Sequence, residues 1–240
     1  MLTAIVNHNR NANAIALRQG FAPLSPVVLI DSGSAIAEEE RAWFDECLPN
    51  VYYSGLLNRT CEFANALPDD DALLLICSDV EIDQPETLVA RLTEAFRDPS
   101  VMVWGPTSLG SPHPQMWPRT TGQIRQVSFV EGFCFAARKS LLARVCPVDL
   151  AVNRYGWGID VLLGYLAASL GGRSLVDDGI EVRHPITTGY AIPEARAQRD
   201  AWFARLSPRA RRFRQLATLP GVREGLGCRL LCRWAAGARP

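Results

Sequence analysis

The stretch Asp69–Asp83, DDDALLLICSDVEID, decides how the rest of the chain is read. Ala72 to Ile76 is a short, unbroken apolar run of the kind that forms a parallel strand buried on both faces. It stops at Cys77-Ser78-Asp79, with Glu81 and Asp83 close behind. A buried strand that terminates in carboxylates carries them to the carboxyl edge of its sheet, and in open α/β sheets ligands bind along that edge. Asp69, Asp70 and Asp71 precede the strand and belong to the opposite edge, as a solvated turn. Asp79 is therefore the informative carboxylate.

Upstream, Leu2 to Val6 reads as a strand ending in Asn7-His8-Asn9-Arg10, and Asn11 to Gln19 as a helix closed by Gly20. Val27 to Ile30 is a second buried strand ending at Asp31-Ser32-Gly33-Ser34. Helical spacing is expected from Ile36 to Cys47, a short strand over Val51 to Tyr53, and a helix carrying Asn58 and Arg59 from Gly55 to Leu67. Downstream, Pro85 opens a helix with an apolar stripe through Leu88, Leu92 and Phe96. Val101 to Trp104 is another strand. The long Gly105–Gln123 connection, rich in proline and containing Trp117, reads as a lid or wall beside a site. Strands follow at Gln126 to Val130 and Cys134 to Ala137, a short helix at Ser140 to Val145, a helix from Val161 to Leu170, and two short strands at Ser174 to Asp177 and Glu181 to His184.

Strands alternating with helices of this length predict a mostly parallel sheet covered by helices on both faces. Three strands ending in polar residues place Asn7, Asp31 and Asp79 along one rim. A dinucleotide-binding Rossmann domain is disfavoured, because Gly-x-Gly-x-x-Gly is absent after the first strand, and no Walker-type phosphate loop occurs.

Equal numbers of basic and acidic residues, 25 of each, provide no global field for nucleic acid. The first ten residues, MLTAIVNHNR, do not read as a signal peptide, and no apolar run approaches the ~20 residues needed to cross a bilayer. Seven scattered cysteines contain no Cys-x-x-Cys pair, so the expected compartment is the cytoplasm. Composition shifts after about Pro193: arginines interleave with Trp202, Phe203, Leu206 and Phe213. Residues 194–240 therefore read as a basic helical extension to a domain spanning 1–193. Two readings of it stay open, a helical pair packed on the domain or a surface for anionic lipid or a membrane-bound partner.

Taken together, these motifs resemble the family-two glycosyltransferases with the GT-A fold, over roughly the first 190 residues. Ala4-Ile5-Val6-Asn7-His8-Asn9 resembles that family's V-N-Y-N opening strand, and Val28-Leu29-Ile30-Asp31-Ser32-Gly33-Ser34 its V-V-D-N-G-S segment. Leu74 to Ile82 is similar to the D-x-D segment, with Asp79 at its second aspartate. Gly132 to Lys139 resembles the strand bordering the acceptor site. Gly156-Trp157-Gly158-Ile159-Asp160 is similar to G-W-x-E-D, and Val182-Arg183-His184 to the closing strand.

The resemblance implies inverting transfer of a sugar from a nucleotide-diphosphate sugar to a hydroxyl of a glycan or lipid-linked acceptor. It implies Mn2+ or Mg2+ to neutralise the leaving diphosphate, held by Asp79 and His184. Asp160 takes the place of the base that removes the acceptor proton. Asn7, Asp31, Arg59 and Asp79 would meet the nucleotide sugar, and Glu131 and Trp157 the acceptor. The extension beyond Pro193 would allow peripheral contact with the inner face of a membrane.

Each residue also has a structural reading. Asp160 begins a helix, where a carboxylate suits the positive dipole end regardless of chemistry. Asp31 suits a turn through Ser32-Gly33, His184 a structural histidine beside Pro185, Arg59 a solvated helix face, and Glu131 the cap of the following turn. Cys77 replaces the first aspartate of D-x-D, and Ile159 the glutamate before Asp160. Those two losses support an alternative, a catalytically degenerate relative that binds nucleotide or scaffolds an assembly. A nucleotidyltransferase is disfavoured, because the Gly-rich, lysine-bearing opening it needs is missing.

Overall fold

In the computed structural model, which describes residues 1–185 and 191–237, the apolar runs become eight strands of one sheet. In chain order the elements are β1 (Leu2–Asn7), α1 (Asn11–Phe21), β2 (Val27–Ser32), β3 (Glu46–Leu48), α2 (Tyr52–Phe63), β4 (Ala72–Cys77), α3 (Pro85–Phe96), β5 (Val101–Thr107) and β6 (Ile124–Val127). They continue with β7 (Cys134–Arg138), α4 (Lys139–Leu142), α5 (Leu150–Asn153), α6 (Ile159–Ser169), β8 (Arg173–Glu181), α7 (Ile192–Arg205), α8 (Pro208–Ala217) and α9 (Gly225–Ala236).

The strand order is β3-β2-β1-β4-β7-β5-β8-β6. β1 pairs in parallel with β2 on one side and β4 on the other, so the winding direction reverses between β1 and β4. That reversal opens a crevice at the carboxyl ends of the strands. β7 runs antiparallel between β4 and β5, and β6 antiparallel to β8. Because β7 starts where β4 ends, Glu131 and Gly132 arrive at the same rim as Asp79; the Cys77 N–H donates to the Phe133 carbonyl at 2.8 Å.

The sheet is held by what its sequence buries. Ala4, Ile5, Leu29, Ile30 and Leu73 to Ile76 are fully enclosed, and each large side chain contributes about 1.5–3 kcal/mol. The arginine-rich segment enters the same core. Trp202 and Phe203 of α7, Phe213 of α8, and Leu231 and Ala235 of α9 are buried in one cluster with the sheet residues. Ser128 N–H donates to the Arg223 carbonyl at 2.9 Å, so the segment between α8 and α9 is stitched to the end of β6.

The main departures from the expected elements are three; the strand expected over Gln126–Val130 also ends at Val127, and α5 had no expected counterpart. Over Ile36–Cys47 only a 3-10 turn forms, Glu38–Trp43, followed by the edge strand β3. The strand expected at Val51–Tyr53 is instead the start of α2. The β-favouring Val-Tyr-Tyr run is overridden because the Tyr53 hydroxyl donates to the Gly132 carbonyl at 2.8 Å and Tyr52 packs edge-on against Tyr155. The two closing strands are one, β8, with an irregularity near its end; beyond it Arg183 forms an isolated antiparallel bridge with Glu81.

Candidate active site

The rim holds two groups of polar side chains. At the β1–β2 end, Asn7 and Asp31 are register partners and both buried. Asn7 Nδ2 donates to Asp31 Oδ1 at 2.7 Å and to Asn11 Oδ1 at 2.9 Å. Asp31 also accepts from the Ser34 N–H at 2.9 Å and from the Ser34 hydroxyl. His8 Nδ1 donates to the Ser32 carbonyl at 2.6 Å, closing a rigid polar shelf.

The second group gathers where β4 ends. Asn13, on α1, donates through one amide nitrogen to the carbonyls of Ser78 and Val80, at 2.7 and 2.9 Å, and so fixes the turn that presents Asp79. The Glu81–Arg183 bridge, with backbone bonds of 2.8 and 3.0 Å, brings His184 to the same place. His184 Nε2 lies 3.4 Å from Asp79 Oδ2, and its ring stacks on Phe133 at 4.4 Å and 17°. Asp79 Oδ1 and His184 Nδ1 are buried without a hydrogen-bond partner among the described residues. Gly110 makes the enclosure feasible: a Cβ there would stand 1.9 Å from the His184 carbonyl oxygen.

The Mn2+ or Mg2+ implied by the resemblance fits this pair. A buried carboxylate oxygen with no donor is a costly arrangement that a cation relieves, and carboxylate with imidazole suits Mn2+. Among the described residues no group of three or more His, Cys, Asp or Glu could hold an ion. Asp79 and His184 would thus supply at most two ligands to such an ion, with phosphate oxygens and water available for the rest, as is usual for Mg2+. Cys77 adds nothing hard: burial beside Asp79 pushes its thiol well up, and Sγ faces the Gly132 carbonyl at 3.9 Å.

Two more carboxyls stand nearby, Glu131 lying within electrostatic reach of both His184 and Asp160. Glu131 accepts from the Ser111 hydroxyl, and the Trp117 indole N–H holds the Ser111 carbonyl at 2.8 Å. Burial raises the Glu131 carboxyl above its usual range, opposed by Ser111 and His113, while the nearby Asp160 charge raises it further. Asp160 sits in the first turn of α6 and accepts the Val161 N–H at 2.8 Å. Loss of solvent raises its carboxyl too, with His113, the local backbone N–H groups and Arg199 pulling the other way.

Trp157 is half-buried, its carbonyl accepting from Asn153 Nδ2 at 3.1 Å and its ring lying 6.0 Å from the Arg199 guanidinium. Of the residues singled out in the sequence, Asp79, His184, Glu131 and Asp160 thus cluster, and Asn7 and Asp31 form the adjoining shelf. Arg59 is engaged elsewhere: its guanidinium binds Glu46 and Glu62 and covers the Phe63 ring at 4.8 Å. Asn13, Ser111, His113 and Arg199 were not singled out in the sequence. Ser111, His113 and Trp117 lie in the connection whose length, prolines and tryptophan marked it as a lid or wall beside a site.

No protein-family model matches the chain, and no curated protein matches it. Solved structures do match. GalNAc-T7, in a structure with UDP, GalNAc and Mn2+, is similar over 78% of this chain at 16% identity and a TM-score of 0.57; this chain spans only 44% of it. Glucosyl-3-phosphoglycerate synthase from Mycobacterium tuberculosis, with Mg2+ and UDP, matches over 85% of this chain and 78% of its own, at 13% identity and TM-score 0.56. The mannosyltransferase PcManGT from Pyrobaculum calidifontis, with GDP-Man and Mn2+, matches over 99% of this chain and 80% of its own, at 16% identity and TM-score 0.57. At these identities the likeness gives the fold, which is GT-A, with a mostly parallel sheet and helices around it.

Proposed function

We propose that this chain transfers a glycosyl group from a nucleoside-diphosphate sugar to an acceptor hydroxyl, with inversion at the anomeric carbon. The observation that carries the reading is the Asp79–His184 pair at the end of β4, with Asp79 Oδ1 and His184 Nδ1 unpartnered among the described residues, beside Glu131, whose carboxyl lies within electrostatic reach of both His184 and Asp160. The matched GT-A structures, determined in complex with nucleotides or nucleotide sugars and Mn2+ or Mg2+, support it by analogy of fold.

In this mechanism Asn7 and Asp31 line the nucleoside end. Asp79 and His184 would hold the divalent ion, which when bound would supply charge neutralisation of the diphosphate. Asp160 accepts the acceptor's O–H proton as that oxygen attacks the anomeric carbon, and the bond from that carbon to the diphosphate oxygen breaks. The carboxyl, raised by burial, is a better base than a solvated one. Glu131, fixed by Ser111, orients the acceptor, with Trp157 offering an apolar ring face. Lipid-linked or polysaccharide acceptors at the inner face of a membrane are the expected class. No helix among the described residues is long and apolar enough to cross a membrane.

The test is a panel of UDP- and GDP-sugars incubated with the chain, with and without Mn2+, read by release of nucleoside diphosphate. Release that requires Mn2+ supports the reading. A second reading, nucleotide binding without turnover, is favoured by the uncharged thiol at Cys77. Thermal stabilisation by nucleoside diphosphate with no release from any donor, whatever the acceptor, would select it.

A further inference from the structure

Charge is unevenly divided along the chain. Residues 194–240 carry eleven arginines against three carboxylates, a net +8 that balances −8 over residues 1–193. Within the basic segment, α9 buries Cys228, Leu231 and Ala235 on one face. On another it leaves Leu226, Leu230 and Trp234 exposed, at 65%, 55% and 40%. These three are spaced i, i+4, i+8, so they form one continuous ridge. Arg229 and Arg233 each precede a ridge residue by one position and are exposed, with no acidic partner among the described residues.

We propose that the α9 ridge is a docking surface for an anionic lipid bilayer, with Leu226, Leu230 and Trp234 entering the acyl boundary and Arg229 and Arg233 meeting the headgroup phosphates. A helix with an apolar strip beside arginines is suited to lie in the plane of such an interface. A tryptophan suits the headgroup level, where an apolar ring and a polar N–H are both satisfied. Charge also chooses between occupants. A two-fold contact with a second copy would set Arg229 and Arg233 against their own counterparts, since such interfaces pair a patch with itself. An anionic surface neutralises them instead. The inference is independent of the sugar-transfer reading and needs no donor or acceptor for its test.

The full chain is sedimented with phosphatidylcholine vesicles containing about one-third phosphatidylglycerol, and with pure phosphatidylcholine. Binding to the anionic vesicles alone is expected, weakened by added salt. Neutralising the cations in Arg229→Gln/Arg233→Gln should reduce affinity by about 30-fold, at roughly one kcal/mol per arginine. The triple variant Leu226→Gln/Leu230→Gln/Trp234→Gln should not bind, and its melting curve should match the parent because the side chains it alters are exposed. Three outcomes overturn the proposal: no binding of the parent, unchanged binding in the arginine variant, or a parent dimer in light scattering that the triple variant dissolves. The arginine variant alone decides if the triple variant fails to fold.

Discussion

Gly158 and Phe203 occupy the same space so closely that a Cβ on the glycine would stand 2.4 Å from the ring. Gly158 also has φ of 89°, in the left-handed region that residues with a Cβ avoid, and it caps the helix that begins with Ile159 and Asp160. A helix of the arginine-rich segment therefore rests directly on the turn that aims the proposed base. Gly158→Ala is expected to destabilise the fold by about 1–3 kcal/mol through strain and overlap. For a chain of this size that lowers the melting temperature by roughly 2–4 °C per kcal/mol, measurable by calorimetry.

Truncation after Pro193 should be more severe. It removes Trp202, Phe203, Phe213 and Leu231 from the common core, each worth about 1.5–3 kcal/mol, which together approach a whole domain's stability. The expected product is insoluble or lacks a cooperative melting transition in circular dichroism. A sharp transition within a few degrees of the parent's would show that the sheet stands alone.

Asp160→Asn separates catalysis from stability. Asparagine keeps the shape and cannot take a proton, so kcat should fall about 10²- to 10⁴-fold with little change in donor affinity. The folded-state carboxyl is raised above its unfolded value by burial. Its ionisation therefore opposes folding at neutral pH, and that penalty disappears as pH falls through the raised value to the ordinary carboxylate range. The variant should melt higher than the parent near pH 7 and lose that advantage in acid. Parental turnover by the asparagine variant, at any pH, would remove Asp160 from the base role.

For the ion, Asp79→Asn and His184→Gln should each weaken Mn2+ binding in the presence of nucleoside diphosphate. The aspartate change should exceed about tenfold, the loss that even an outer partner of a metal site produces. Calorimetric titration reads this directly, and equal affinities across parent and both variants would move the ion elsewhere.

The β4 stretch made the rim legible because a fully apolar strand followed by a carboxylate admits few placements. Asn7, Asp31 and Asp79 followed from the same logic. What could not be read was whatever depended on distant partners. Val51–Tyr53 has strand-forming side chains, yet Tyr53 turns into a helix because its hydroxyl reaches Gly132, 79 residues away. No motif announced that the Arg59 guanidinium pairs with Glu46 and Glu62. Ser111 and Arg199 carry no motif; they matter through Glu131, and through Trp157 and Asp160, which the fold alone brings near.

The two groups along the rim differ in how far apart their members lie in the chain. Asn7 and Asp31 are separated by 24 residues and sit on adjacent, consecutively made strands, whereas the Glu81–Arg183 pair that delivers His184 to Asp79 closes over 102 residues. Closing longer loops costs more chain entropy before any contact repays it. A refolding chain is thus expected to acquire the Asn7–Asp31 shelf before the Asp79–His184 corner, so that for part of its folding time half of the crevice exists without the other. Divalent ions present during refolding would then act on the late step and leave the early one untouched.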